Sequence, residues 1–116
     1  VSIHVNYGKH ICGGSILNKK YVITAAHCLY AKLLSDIYIV AGTVDLDGPV
    51  VRRDVEKIII HEKYDRLHTR ANDIGLVRIR GEFETSRTLN FVKLPEPHVQ
   101  VAAGSIAVVS GWGRLQ

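Results

Sequence analysis

The sequence predicts an all-β fold. Three observations carry the prediction. Short stretches of alternating apolar and polar residues recur along the chain, Gly, Pro, Asn and Asp punctuate them, and almost nothing reads as helix. The 116 residues suffice for one domain with a real core. The balance of 47% hydrophobic and 22% charged residues is that of an ordinary globular protein.

Residues 1–6, VSIHVN, alternate strictly. Val1, Ile3 and Val5 share one face and Ser2, His4 and Asn6 the other, which predicts a half-buried strand. Tyr7-Gly8-Lys9 supplies a turn. A second strand spans 10–17 and contains Gly13-Gly14, a pair that inside a strand marks a bulge or close backbone approach. Asn18-Lys19-Lys20 is a polar turn before the strand at 21–24, YVIT. Residues 25–28 make one helical turn, and 29–35 form a loop whose 31–34 portion also reads as a short helix.

The next strand is 36–41, DIYIVA. A loop at 42–49 is broken by Gly, Asp and Pro, and a long β-rich stretch at 50–60 ends in Ile58-Ile59-Ile60. Residues 61–72, HEKYDRLHTRAN, are polar and loop-like. A strand follows at 74–79, then a turn-rich loop at 81–88 and a weakly extended stretch at 89–94. Residues 95–104, PEPHVQVAAG, are the best linker candidate. Residues 105–110, SIAVVS, read as a final strand running into Gly111-Trp112-Gly113.

Composition also excludes function classes. No apolar run approaches the roughly 20 residues that span a bilayer, so no membrane partner is expected. No signal peptide opens the given sequence, so any such segment is expected to have been removed or to lie outside it. Fifteen Lys and Arg against eleven Asp and Glu leave a net charge of +4, but the cations are scattered. Without a basic stripe interleaved with aromatics, no nucleic-acid partner is expected. The two cysteines permit a disulfide without requiring one. Closing the 15 residues between them would contribute roughly 3 kcal/mol on the chain-entropy account, and the bond would persist only in an oxidising compartment.

Four motifs occur in order: CGGSIL from Cys12, TAAHC ending at Cys28, NDIGL around Asp73, and SGWG at 110–113. Together they resemble the first half of a chymotrypsin-like (trypsin-like) serine protease. The resemblance runs from residue 1 to 113 and covers about half of such an enzyme. It implies the first six-stranded antiparallel barrel over 1–94, an inter-barrel crossing segment at 95–104, and the incomplete start of a second barrel at 105–116. It also implies a secreted, extracellular serine-type endopeptidase acting on a protein or peptide substrate.

A lone histidine is most often structural. Beside Cys28 and after the small Ala25-Ala26, His27 matches the family's general base, a role suited to an imidazole that titrates near the working pH. An aspartate before an apolar strand is ordinarily a cap. Read at the start of a buried strand, Asp73 needs a partner, and the family motif makes that partner His27, whose tautomer it would fix. Gly75 stands where the family usually has alanine, a small-for-small exchange expected to cost little. The resemblance also implies a structural disulfide between Cys12 and Cys28.

The resemblance implies that the nucleophile serine is not in this chain. Ser2, Ser15, Ser35, Ser86, Ser105 and Ser110 all lie outside the family's GDSGG motif. The oxyanion hole and specificity pocket belong with that motif, so the partner implied is the missing C-terminal barrel, and the chain alone is expected to be inactive. Residues 1–3 resemble a strand that follows the family's activation terminus, so the chain reads as truncated at both ends. The alternative is a catalytically inactive protease-like binding module or natural half-protein. A GDSGG codon run beyond Gln116 supports the first reading and a stop codon the second.

His10 matches a histidine the family carries near its first cysteine, for which a buried, hydrogen-bonded structural role is expected. His4, His61, His68 and His98 sit in polar surroundings and read as surface residues. His10, Cys12, His27 and Cys28 lack zinc-site spacing. The loop at 42–49 offers only Asp45 and Asp47 where calcium wants six or more oxygens. No metal and no cofactor is expected. Ala107 stands where many relatives carry a cysteine, so that disulfide should be missing.

Overall fold

The computed structural model describes residues 1–115. Seven strands are formed: β1 (Ser2–Val5), β2 (His10–Gly13), β3 (Ser15–Ile16), β4 (Tyr21–Thr24), β5 (Ile37–Ala41), β6 (Val51–Ile60) and β7 (Gly75–Ile79). They pair in the order β2-β1-β5-β6-β7-β4-β3, antiparallel throughout. The two ends of this order are neighbours in sequence, because only Gly14 separates β2 from β3. One bent strand therefore supplies both edges. Six passes of chain form a nearly closed barrel, which leaves little unpaired edge.

The bend requires glycine. A Cβ on Gly14 would lie 2.8 Å from Val22 Cγ1 and 3.1 Å from the Ile23 carbonyl oxygen. The second corner is in β6, whose first half pairs with β5 and whose second half pairs with β7. A register shift between Val55 and Lys57 marks the change of partner, as bulges do where strands bend.

Alternation places the core. Val22 of β4 and Val77 and Ile79 of β7 point inward and are fully buried, joined by Ile3, Ile39, Val55 and Leu29. Each contributes roughly 1.5–3 kcal/mol by leaving water. Phe83 joins them although it lies in the loop after β7. Its amide donates to the Lys19 carbonyl at 2.7 Å, and its side chain is 1% exposed. The sequence there reads as a turn-rich loop and carries no pattern that marks a core residue.

The all-β expectation holds, with three local differences. β1 is not half-buried: Ser2 and His4 are covered as well as Ile3. His4 is therefore a buried residue, not a surface one. Tyr38 of β5 lies against its ring, 5.2 Å between centroids, with its hydroxyl 3.4 Å from Nδ1. The short helix falls at Leu34–Asp36 as a 3-10 turn, where the Asp36 carboxylate accepts the Leu33 amide at 2.9 Å. The strand expected at 105–110 does not form. Ile106, Val108 and Val109 are 92–99% exposed, and a strand without a ladder partner has nothing to stabilise it.

Candidate active site

A single turn of helix, α1 (Ala26–Leu29), follows β4 directly. The Tyr30 amide donates to the Ala26 carbonyl at 2.9 Å, and Ala26 itself is fully buried. Small residues on both sides let α1 sit close to the start of β7. A Cβ on Gly75 would lie 3.6 Å from Ala26 Cα, 2.7 Å from Leu29 Cδ1 and 3.0 Å from the Ile59 carbonyl oxygen. Alanine at 75 would thus press on backbone, so the exchange is less neutral than the sequence reading supposed. Cys28 of α1 is disulfide-bonded to Cys12 of β2, with Cα atoms 6.3 Å apart. His27 is thereby held between the end of β4 and a covalent tie to β2.

Asp73 lies just before β7 and meets His27 twice. One carboxylate oxygen, Oδ1, accepts the His27 backbone amide at 2.7 Å. The other, Oδ2, lies 2.6 Å from His27 Nδ1. A carboxylate can only accept, so Nδ1 carries a proton, and in the neutral ring Nε2 keeps the lone pair. The His27 ring bond, followed by the amide bond, holds the Asp73 carboxyl below the usual carboxylate range. Both side chains are more open than a buried strand start implies, 54% for His27 and 27% for Asp73. The reason is local: β7 begins only at Gly75, and Ile74 is itself 40% exposed.

The other singled-out residues lie apart. Nδ1 of His10, a half-buried ring, is hydrogen-bonded with Ser2 Oγ, and the Trp112 ring stands edge-on to it at 6.1 Å. His61, His68 and His98 are exposed. Among the described residues, no serine hydroxyl is hydrogen-bonded to His27. Among the described residues, the one cluster of three potential metal-ligating side chains is Cys12, His27 and Cys28, and both of its sulfurs are engaged in the disulfide. Asp45 Oδ1 accepts the Asp47 amide within its own loop.

The sequence reading passed over Asn72. It has φ of +58°, and its side-chain amide donates to the Lys63 carbonyl at 3.0 Å. The available signal was its residue type, because asparagine is the side chain besides glycine that most readily takes a left-handed backbone. Around it the loop between β6 and β7 is anchored to the end of α1. The Arg66 guanidinium lies 4.5 Å from the Tyr30 ring centroid, and the Tyr64 ring stands edge-on to Tyr30.

The chain is similar in sequence and fold to known proteins. The family model described as Trypsin matches residues 1–116. Chymotrypsin-2 of Vespa crabro is 38% identical over 107 residues, which cover 92% of this chain and 48% of that protein. Serine protease SP24D of Anopheles gambiae is 39% identical over 108 residues, covering 90% and 38%. Human granzyme M is 36% identical over 106 residues, covering 91% and 41%. The chain thus spans about half the length, or less, of these curated relatives. Among solved structures, neuropsin, a serine protease of mouse brain, superposes with a TM-score of 0.71 at 25% identity, covering 81% of this chain and 41% of that one. The family match over residues 1–116, borne by an antiparallel barrel, shows that the chain belongs to the trypsin family.

Proposed function

We propose that this chain is the histidine- and aspartate-bearing part of a secreted serine endopeptidase. The observation that carries the reading is the 2.6 Å contact between His27 Nδ1 and Asp73 Oδ2. It sets the tautomer in which Nε2 can take a proton, and the half-exposed ring leaves that nitrogen approachable. In this mechanism His27 removes the proton from a serine hydroxyl as it attacks a peptide carbonyl, then returns it to the leaving amine. Asp73 holds the ring and stabilises the imidazolium. The serine, its oxyanion hole and the specificity pocket come from a second barrel, corresponding to the half of the relatives that this chain does not span.

On this reading residues 1–94 are the first barrel, 95–104 the crossing segment, and 105–116 enter the second barrel. The exposed Ile106, Val108 and Val109 gain their ladder partners there. Secretion is supported by the disulfide, since such bonds persist in oxidising compartments. No helix among the described residues is long and apolar enough to cross a membrane.

Peptide hydrolysis by this chain alone and together with its complementary barrel tests the proposal. The chain alone is expected to show no turnover. The complemented enzyme should turn over, and Asp73→Asn should lower kcat about 10⁴-fold, because an amide in place of the carboxylate leaves the imidazole in the wrong tautomer. Turnover by the chain alone that His27→Ala abolishes would refute the assignment of the nucleophile. Turnover by the complemented enzyme that survives His27→Ala would refute the assignment of the base.

A further inference from the structure

We infer that Asn72 is the positioning residue for Asp73, aiming its carboxylate at His27 through a left-handed backbone and a side-chain clamp on Lys63. The inference rests on the reading of His27 and Asp73 as the catalytic pair. At φ of +58° the Asn72 backbone occupies the left-handed region, which is uncommon for L side chains and which asparagine tolerates best after glycine. Directly after it, the Ile74 amide donates to the Asn72 carbonyl at 2.8 Å. That bond closes a three-residue turn with Asp73 at its apex.

Both sides of the apex are fastened to the same short stretch of chain. On one side, Asn72 Nδ2 donates to the Lys63 carbonyl at 3.0 Å. On the other, the His61 amide donates to the Ile74 carbonyl at 3.0 Å. Asp73 is thus displayed between two residues tied to the end of β6, and both of its oxygens meet His27. The Asn72 amide group makes no hydrogen bond to His27 among the described residues, so it acts through Asp73. An asparagine that merely turned the chain would need the backbone conformation but not the clamp. Three substitutions separate the two roles. Asn72→Gly keeps the conformation and loses the clamp. Asn72→Ala loses the clamp and makes the conformation costlier. Asn72→Asp tolerates the conformation but sets an acceptor against the Lys63 carbonyl.

The test is NMR of the full chain, following the His27 Nδ1–H resonance and the Asp73 carboxyl titration. The Nδ1–H resonance should exchange with solvent about tenfold faster in Asn72→Gly and vanish in Asn72→Ala and Asn72→Asp. The Asp73 carboxyl should move up toward the ordinary range in the same order. In the complemented enzyme, kcat should fall about ten- to a hundredfold with KM unchanged, as misplacement of a catalytic group does. Wild-type exchange and titration in Asn72→Gly would overturn the clamp. The same result in Asn72→Ala would overturn positioning by Asn72 altogether, and if that variant fails to fold, Asn72→Gly decides. The catalytic reading is judged separately. Hydrolysis that survives His27→Ala refutes that reading, while the resonance and titration still decide what Asn72 does.

Discussion

Replacing Phe83 with alanine tests whether a loop residue completes the barrel core. Its ring is 1% exposed and packs in the main core cluster, while its amide is held by the Lys19 carbonyl at 2.7 Å. A buried phenylalanine removes about 150 Å² or more from water. At about 25 cal/mol per Å² that is roughly 4 kcal/mol, inside the range of about 3–5 kcal/mol for Phe→Ala in cores. Such a loss is a large share of a domain's net stability of about 5–15 kcal/mol. Urea unfolding followed by far-UV circular dichroism should show it. With a slope of about 2 kcal/mol per molar, the midpoint should drop by about 2 M. Leu67→Ala is the control: that side chain is 74% exposed, and its loss should change stability by less than about 0.5 kcal/mol. Because Phe83 is anchored beside Lys19, before β4, and His27 follows β4, the His27–Asp73 hydrogen bond should survive the substitution. A destabilisation below about 1.5 kcal/mol, against the 3–5 kcal/mol of core sites, would refute the core assignment.

Two further outcomes are expected. Removing the Cys12–Cys28 bond as a double alanine variant, with a sequence separation of 16, should cost about 3 kcal/mol by loop-closure entropy. Urea unfolding reads the loss, intact mass under non-reducing conditions verifies the bond in the parent, and an unchanged midpoint would contradict the constraint. Stability should also fall with acid in two steps. Burial, and then His4, lowers the His10 pKa from its ordinary 6.5. The unfolded chain therefore binds that proton first, and stability present above pH 6.5 declines as pH drops below it. His10→Gln should flatten this step. Asp73 is held below the ordinary carboxylate range by His27, so its contribution is complete above that range and lost as pH falls through its folded value. Asp73→Asn should shrink that second step, leaving the share of Asp65, whose carboxyl the Thr69 amide also holds low. Urea midpoints measured between pH 7.5 and 3 check both, and a profile unchanged by either substitution would contradict the corresponding linkage.

The chain order of strands and turns is written in local pattern. YVIT is β-prone and becomes β4, GLVRI is rich in strand formers and becomes β7, and the Gly13-Gly14 pair sits where one strand bends to close the barrel. The residue types of the candidate site are equally local, because TAAHC and NDIGL carry His27 and Asp73 on their face. Four features depended on contacts between distant segments, which no window of sequence contains. His27 and Asp73 meet across 46 residues only because β4 pairs with β7. His4 reads as polar and exposed but is covered once β5 brings Tyr38 over it. Phe83 lies in a turn-rich loop and becomes core because the chain folds back to Lys19. SIAVVS has the composition of a strand and forms none, since a strand's stability resides in its ladder partner and not in its own residues. Propensity and alternation are properties of neighbours in sequence. Burial, ion pairing and strand formation are decided by neighbours in space.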